Sequence, residues 1–331
     1  MASAHRVHLA GTGESFDVQA DESVLAAAKR AGVRLPHSCT IGGCGSCRVK
    51  LVSGRVGYDW TPTALSAEEA AAGYALMCQA RCHTDLEIEL PTRRLAPAST
   101  QPALVTAVEP LGRDVVHLQL VLPELDTLEF SPGQHMDVIV PGVGRRSFSM
   151  ASAPQGNAVD LHVRRIPGGR FTPSLGEAVM PGDTIEVEIP LGAFGFHAED
   201  EREVVMVATG TGLAPLKSML EALFDDADCP PVALYWGGRT ADDLYLADEI
   251  AGWGGRLFEF RFVPVLSREA SGAATGRYVQ HAVLADHPDL AEHALYLCGS
   301  PAMIADAKRA FLGAGANAGR LYADGFHFQP S

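Results

Sequence analysis

The sequence predicts a multidomain chain: a small α+β module, then an all-β antiparallel barrel, then an α/β module on a parallel sheet. Three observations predict it. Cysteines and glycines cluster inside a first segment that mixes strand and helix signals. A stretch rich in Pro, Ala, Ser and Thr, residues 91–102, reads as a linker. Beyond it, apolar runs recur first with Pro-Gly turns between them and then with helical segments between them. At 331 residues there is room for two or three domains, with boundaries expected at 1–94, 102–199 and 200–331.

In the first segment, alternation in Arg6–Leu9 and around Phe16–Val18 predicts a hairpin. Ser23–Ala31 reads as a short helix, with Lys29 and Arg30 in its last turn and Gly32 as its stop. Arg48–Val52 is a strand, Ser66-Ala67-Glu68-Glu69 a capping box that opens a second helix, and Asp85–Leu90 a half-buried strand. Val115–Val121, His135–Val140, Val159–Arg165 and Thr184–Ile189 follow too closely for helices between them, so a small antiparallel barrel is expected. The last segment carries apolar runs at Glu203–Val207, Val232–Trp236, Leu257–Val265 and Ala294–Cys298. Helices are expected at Pro215–Phe224, Arg277–Ala285 and Pro301–Leu312.

Composition excludes several classes. With 47% hydrophobic and 20% charged residues the chain reads as globular, and its net charge of −14 argues against a nucleic-acid partner. Acidic and basic residues balance over 1–94, so the whole excess lies in 95–331, as fused modules would have it. Met1–Ala10 lacks the apolar core of a secretory signal. The most apolar stretch, Val204–Leu216, is stopped by Lys217 well short of the ~20 residues that span a bilayer. A cytoplasmic protein without a membrane partner is expected.

The seven cysteines do not read as a disulfide framework in that compartment. Cys39, Cys44 and Cys47, with Cys78 farther on, follow the C-x4-C-x2-C…C pattern of plant-type [2Fe–2S] centres. Four thiolates must converge, and a loop wrapping them needs Gly42, Gly43 and Gly45 so that its amides can turn inward. Structural zinc is the rival; it usually pairs two C-x2-C knuckles, and only one is present. Cys82 could compete as a ligand or simply pack beside the site, and Cys229, before a Pro-Pro pair, reads as inert.

Further strings point the same way. Arg146-Ser147-Phe148-Ser149 stands at the end of a barrel strand, followed by His162-Val163-Arg164-Arg165-Ile166-Pro167-Gly168-Gly169-Arg170-Phe171-Thr172. Ala208-Thr209-Gly210-Thr211-Gly212-Leu213-Ala214-Pro215 lies between a strand and a helix, where glycines let dinucleotide phosphates approach the backbone. Cys298-Gly299-Ser300-Pro301 follows the last apolar run.

Together these strings resemble the ferredoxin–NADP reductase superfamily. The whole chain is similar to the fused ferredoxin–FAD–NAD(P)H reductase components of bacterial multicomponent oxygenases. The resemblance implies a β-grasp [2Fe–2S] ferredoxin module, a six-stranded antiparallel FAD-binding barrel and a parallel-sheet NAD(P)-binding module. It implies that Arg146 meets the FAD pyrophosphate, Phe148 packs on the flavin and Ser149 lies near its reactive N5, with Ser147, His162 and Val163 in the same site. Gly168, Gly169, Arg170, Phe171 and Thr172 would hold phosphate oxygens at a helix start. Gly210, Thr211, Gly212 and Gly299 would take the nicotinamide dinucleotide, with Cys298 close to its ring. Two positions depart from the family pattern, Thr209 in place of glycine and Ser300 in place of proline.

Phe326, in the closing Asp324-Gly325-Phe326, would cover the isoalloxazine until the nicotinamide displaces it; simple packing is the alternative. Arg239, after Trp236-Gly237-Gly238, stands where a 2′-phosphate could be met, yet relatives resembling NADH enzymes also have Arg there, so NADH is expected and NADPH is the alternative. A hydride carries two electrons and a [2Fe–2S] cluster accepts one, a mismatch that a flavin resolves and that explains the fusion. The resemblance implies a monomer that docks transiently, near Cys44 and Cys47, on the terminal oxygenase of an aromatic-ring-hydroxylating (Rieske) dioxygenase. A diiron monooxygenase, an aromatic O-demethylating cytochrome P450 or a deoxysugar dehydratase would be alternative acceptors, and a zinc-stabilised binding module the alternative outside enzymes.

Overall fold

The computed structural model describes residues 4–90, 96–200, 202–268 and 278–326. They fall into two compact units, 4–90 with 323–326 and 96–322.

In the first unit β1 (His5–Leu9) and β2 (Ser15–Val18) form the expected hairpin. Then comes α1 (Val24–Arg30), whose N-cap Ser23 accepts a hydrogen bond from the Ala26 amide at 3.2 Å. The remaining elements are β3 (Arg48–Ser53), β4 (Val56–Gly57), α2 (Ala67–Ala71), β5 (Tyr74–Leu76), β6 (Arg81–Cys82) and β7 (Leu86–Glu89). The sheet runs β2-β1-β7-β3-β5, with β1 parallel to β7 and the other pairs antiparallel. Val24, Leu25, Ala27 and Ala28 put the buried face of α1 against Val7, Leu9, Leu76, Leu86 and Ile88. A helix packed on a mixed sheet whose first and last strands pair side by side is the β-grasp arrangement expected.

The capping box at α2 does more than start a helix. Ser66 and Glu69 exchange hydrogen bonds at 3.1 and 2.9 Å, and the other Glu69 oxygen accepts from Arg48 Nη1 at 2.5 Å. Glu69 is fully buried, so this ion pair ties α2 to the residue after Cys47.

In the second unit β8 (Ser99–Pro110), β9 (Val115–Val121), β10 (His135–Val140), β11 (Gly144–Ser149), β12 (Ala158–Arg164) and β13 (Thr184–Leu191) form one antiparallel sheet ordered β11-β10-β13-β8-β9-β12. The sheet curls until its edges meet at the Met150–Leu161 bridge, where the Ala151 amide also donates to Asp160 at 2.7 Å. Residues 99–102, expected as linker, are strand. Pairing with β13, Thr100 to Glu188 and Pro102 to Glu186, orders a segment whose composition is that of a turn. The first part of that linker, 91–95, lies outside the described residues.

Continuing the same unit are β14 (Glu203–Thr209), α3 (Leu213–Ala222), β15 (Val232–Gly238), α4 (Ala247–Ala251), β16 (Phe260–Leu266), α5 (Val279–Asp286), β17 (His293–Gly299) and α6 (Pro301–Gly313); β18 (Leu321–Gly325) begins in it, its residues 323–325 counting with the first unit. The sheet order is β16-β15-β14-β17-β18, with parallel pairing from β16 through β17. The chain moves outward from β14 to β16 and then returns to the other side of β14. The crevice at the ends of β14 and β17 is therefore the topological switch point where such sheets bind ligands. α3 begins two residues before the expected Pro215, since proline is tolerated in a first turn. β16 begins at Phe260, later than expected, because Glu259 takes φ 44°. Arg277, expected to open a helix, lies outside the described residues, and the helix there runs from Val279. The strand β18 and the short α4 were not expected from the sequence. Among the described residues no helix is long and apolar enough to cross a membrane.

Replacing Glu69 by Ala takes the buried carboxylate partner from Arg48 and the side-chain acceptor from the Ser66 amide. Breaking a buried pair costs about 3 kcal/mol. The urea midpoint for loss of cluster colour should fall accordingly in Glu69→Ala; an unchanged midpoint would contradict this account.

Candidate functional site

The cysteine loop lies between α1 and β3. Cys47 directly precedes β3, and Cys78 follows β5 by two residues. Cys44, Cys47 and Cys78 are buried and Cys39 half-buried, none of them in a disulfide. The sulfurs stand in two hydrogen-bonding pairs, Cys39 with Cys44 and Cys47 with Cys78. Backbone amides point at them. The Cys44 amide donates to Cys39 Sγ at 3.3 Å, as do the Ile41 and Gly43 amides, and the Ser46 amide donates to Cys44 Sγ at 3.4 Å. The Gly42 amide serves Cys78. Gly42 sits at φ 77°, and a Cβ there would stand 3.0 Å from Pro62 Cβ and 3.1 Å from Gln79 Cγ, so only glycine fits.

These contacts fix protonation. The hydrogen bond from Cys44, aided by the amides and opposed by burial, lowers Cys39 to about 5, and Cys47 lowers Cys78 in the same way. Cys44 and Cys47, the donors of the pairs, are raised. Each pair thus holds one sulfur made more acidic than an ordinary thiol and one raised thiol, whose proton a metal would displace. Two sulfur pairs with inward amides suit a two-iron cluster, which Cys39, Cys44, Cys47 and Cys78 would hold for one-electron transfer.

Cys82 stands apart, half-buried in β6, its thiol pushed up to about 11 by burial and then by Asp85. The exposed side of the loop also differs from expectation. Cys44 and Cys47 are 5% and 2% exposed, Cys47 within the core of this unit; the Gly325 amide donates to the Cys44 carbonyl, and buried Asp324 accepts from Ser46. The outward residue is Ile41, at 57%. Burial and then the Cys39 charge raise the Asp324 carboxyl to about 7. Neither Ser46 nor Asp324 carried a signal in the sequence beyond its place near a motif.

In the 96–322 unit the structure brings the two barrel motifs together. Phe148 of β11 meets Phe171 at 5.9 Å between ring centroids, and Arg170 Nη2 donates to Gly142 at 2.9 Å. Ser147 Oγ donates to Asp137 at 2.6 Å, Arg146 donates to the Arg145 carbonyl at 2.8 Å, and Ser149 is buried at the strand end. The helix expected at the Gly168–Thr172 turn is only a three-residue 3₁₀ turn, Thr172–Ser174. Its dipole is correspondingly small. Thr172 Oγ1 accepts from the Ile166 amide and the Gly169 amide donates to the Ile166 carbonyl, so these contacts shape the turn. Val163 is fully buried in the barrel core.

Gly210–Gly212 forms a 3₁₀ turn running straight into α3. A Cβ on Gly212 would lie 2.2 Å from the Cys298 carbonyl oxygen, so the glycine lets the loops after β14 and β17 touch. The two departures from the family pattern have work there. Thr209 Oγ1 accepts from the Ser300 amide at 3.4 Å, and Ser300 Oγ caps α6 by accepting from Met303 at 3.3 Å. Cys298 is fully buried at the end of β17, behind these loops, and Gly299 takes φ 149°. Phe326 is half-buried just past β18.

Three residues that carried no signal in the sequence join the segment after β11 to α3, the helix that follows the Gly210–Gly212 loop. Lys217, counted only as a break in an apolar stretch, donates to the Ala151 carbonyl at 3.1 Å and pairs with Glu221. Glu221 accepts from the Ala153 amide at 3.0 Å, and Ser218 Oγ donates to the Ser152 carbonyl at 2.6 Å. A second chain of contacts runs from His162 Nδ1 to the Tyr245 hydroxyl at 3.1 Å, then edge-on from Tyr245 to Trp236, whose Nε1 donates to the Gly210 carbonyl. Burial, then the Lys217 and His117 charges, lowers His162 to about 3.

A sulfur cage on a β-grasp module and a switch-point loop tied to a barrel strand define an iron–sulfur flavin reductase. Comparison with known proteins agrees. Residues 7–83 match the 2Fe-2S iron-sulfur cluster binding domain family, 102–196 the oxidoreductase FAD-binding domain family and 206–309 the oxidoreductase NAD-binding domain family. CDP-6-deoxy-L-threo-D-glycero-4-hexulose-3-dehydrase reductase of Yersinia pestis is 35% identical, over 97% of this chain and 98% of its own. Terephthalate 1,2-dioxygenase reductase component 1 of a Comamonas species is 32% identical, over 99% and 98%. The crystal structure of the Amycolatopsis cytochrome P450 reductase GcoB superposes with a TM-score of 0.73 at 35% identity, over 97% and 98%. The chain belongs to the fused [2Fe–2S]–FAD–NAD(P)H reductases of the ferredoxin–NADP reductase superfamily. It is an oxidoreductase with sites for a [2Fe–2S] cluster, FAD and NAD(P)H.

Two outcomes follow from the geometry. Cys78→Ser should abolish stoichiometric iron while Cys82→Ser keeps it, measured by metal analysis; iron loss in the Cys82 variant would move the fourth ligand. His162 sits near 3 in the folded protein against 6.5 unperturbed, so protons favour the unfolded chain. Its stability contribution is complete above pH 6.5 and is lost as pH falls toward 3, and denaturation midpoints should vary less with pH in His162→Gln.

Proposed function

We propose that this chain passes electrons from NADH to the terminal oxygenase of an aromatic-ring-hydroxylating Rieske dioxygenase. FAD, when bound, supplies the exchange between a two-electron donor and a one-electron acceptor. The observation that carries the reading is the seam of Lys217, Ser218 and Glu221 against residues 151–153. It holds Ser149, expected at the flavin, in fixed relation to the Gly210–Gly212 loop, expected at the nicotinamide dinucleotide. Arg146, Ser147, Phe148 and the Gly168–Thr172 turn would bind FAD, with Phe171 backing Phe148. Cys39, Cys44, Cys47 and Cys78 would hold the cluster, Cys298 and Gly299 would shape the nicotinamide side, and Phe326 would cover the isoalloxazine until the nicotinamide displaces it.

The choice of NADH rests on Arg239. Its Nε and Nη2 engage Asp243 at 2.9 and 2.8 Å, a bidentate pairing that holds the carboxyl down at about 2. A guanidinium already forked onto a carboxylate offers little to a 2′-phosphate. The Rieske acceptor rests on the similarity to the Comamonas dioxygenase reductase, including the Cys298-Gly299-Ser300-Pro301 run and the Ala323-Asp324-Gly325-Phe326 ending. Docking would use the exposed Thr40–Ile41 side of the cluster loop.

The test is reduction by NADH of a Rieske oxygenase, a diiron hydroxylase, a cytochrome P450 and a deoxysugar dehydratase in parallel. Faster transfer to any but the first overturns the acceptor. kcat/KM with NADH should exceed that with NADPH by at least about tenfold, and Asp243→Ser, which frees Arg239, should narrow the gap by about tenfold. Equal use of both nucleotides by the unaltered protein would refute the preference.

A further inference from the structure

At the opposite ends of the central strands from the loops expected at the nicotinamide, two imidazoles and a carboxylate meet without a role in the electron path. Glu203 opens β14 and His293 opens β17, directly across from each other in register, and His287 caps the end of α5. At ~3.3 Å per residue, six residues of strand put this cluster about 20 Å from the Gly210–Gly212 loop. The donor atoms of the three side chains lie within 4.8 Å of one another, with His293 Nε2 3.7 Å from Glu203 Oε2. The imidazole rings cross edge to face at 4.9 Å.

What marks the cluster is its unmet bonding. His287 Nε2, His293 Nδ1 and His293 Nε2 are buried and have no hydrogen-bond partner. Burying an unpaired polar nitrogen costs free energy that folded proteins rarely leave uncompensated. The flanking charges cancel in pairs, Arg261 with Asp286 at 2.8 Å and Arg202 with Glu292, so the carboxylate facing the imidazoles is that of Glu203. Burial, with His293 beside it, lowers His287, which keeps it in the neutral form that binds metal.

We propose that Glu203, His287 and His293 form a divalent-metal site of the zinc type, clamping the starts of β14 and β17 to the end of α5. Two imidazoles and one carboxylate with water in the fourth position are a familiar zinc donor set. Tetrahedral bonds of about 2.0–2.1 Å put donors about 3.3 Å apart, so modest side-chain rotation closes the site. Glu203, at 49% side-chain exposure, leaves a path for the ion.

The test uses the full chain with cluster and FAD loaded, titrated with Zn2+ by calorimetry and then desalted for zinc, iron and flavin analysis. One zinc per chain is expected above the iron content, together with a rise of about 5 °C in the unfolding midpoint at saturating metal. Affinity should fall at least tenfold in His287→Gln and His293→Gln. Glu203→Gln, at a more exposed position, should show the same loss and decides the matter if a histidine variant folds poorly. No zinc uptake, or equal affinity in the variants because thiols elsewhere bind the metal, overturns the proposal.

Discussion

Gathering four sulfurs around one small cluster concentrates negative charge in a buried place, and everything in the 4–90 unit answers that constraint. The compensation comes from backbone amides of Ile41, Gly43, Cys44 and Ser46 aimed at sulfur. Amides can do this only if the loop turns back on itself, which Gly42 permits at φ 77° against Pro62 and Gln79. The surrounding scaffold fixes the loop ends. Cys47 leads into β3, where Arg48 is clamped by buried Glu69, and Gln79, next to Cys78, donates to the Thr40 carbonyl at 2.7 Å. Hydrogen bonds to the sulfurs are also a lever on reduction potential, so the same geometry that stabilises the thiolates tunes the exit of electrons.

The 96–322 unit solves a different problem, holding two flat cofactors in register. Its answer is polar and sparse. A buried lysine, a serine and a glutamate on α3 lock onto three consecutive residues after β11, while Tyr245 bridges His162 to Trp236. Because these partners are buried or half-buried, each lost bond leaves an unsatisfied group, which makes the seam specific. Burial keeps His162 neutral, so no imidazolium forms on this seam at neutral pH.

Much of this was legible in the sequence because short-range rules govern it. Cysteine spacing identified the cage, alternation found the β1–β2 hairpin, and the Ser66–Glu69 capping box was correct to the residue. Errors arose where pairing partners lie far off in sequence. The turn-like composition of 99–102 hid a strand ordered by pairing with Glu186–Ile189 of β13, far along the chain. A local contact also intervened after Gly169: with Thr172 engaged by the Ile166 amide, the expected helix start is a single 3₁₀ turn.

The sequence by itself determined the cysteine spacing from which the cluster ligands are proposed, the order of the three folds and the family, since these depend on residue type and spacing along the chain. Only the tertiary structure decided which sulfurs pair and that Arg239 is occupied by Asp243. It alone turned Lys217 from a break in an apolar run into a tie between strand and helix, and set His287 and His293 against Glu203. The physical reason is common to all of these. Hydrogen bonds and ion pairs act over about 3 Å of space, and nothing in local sequence records which distant group the fold will bring that close.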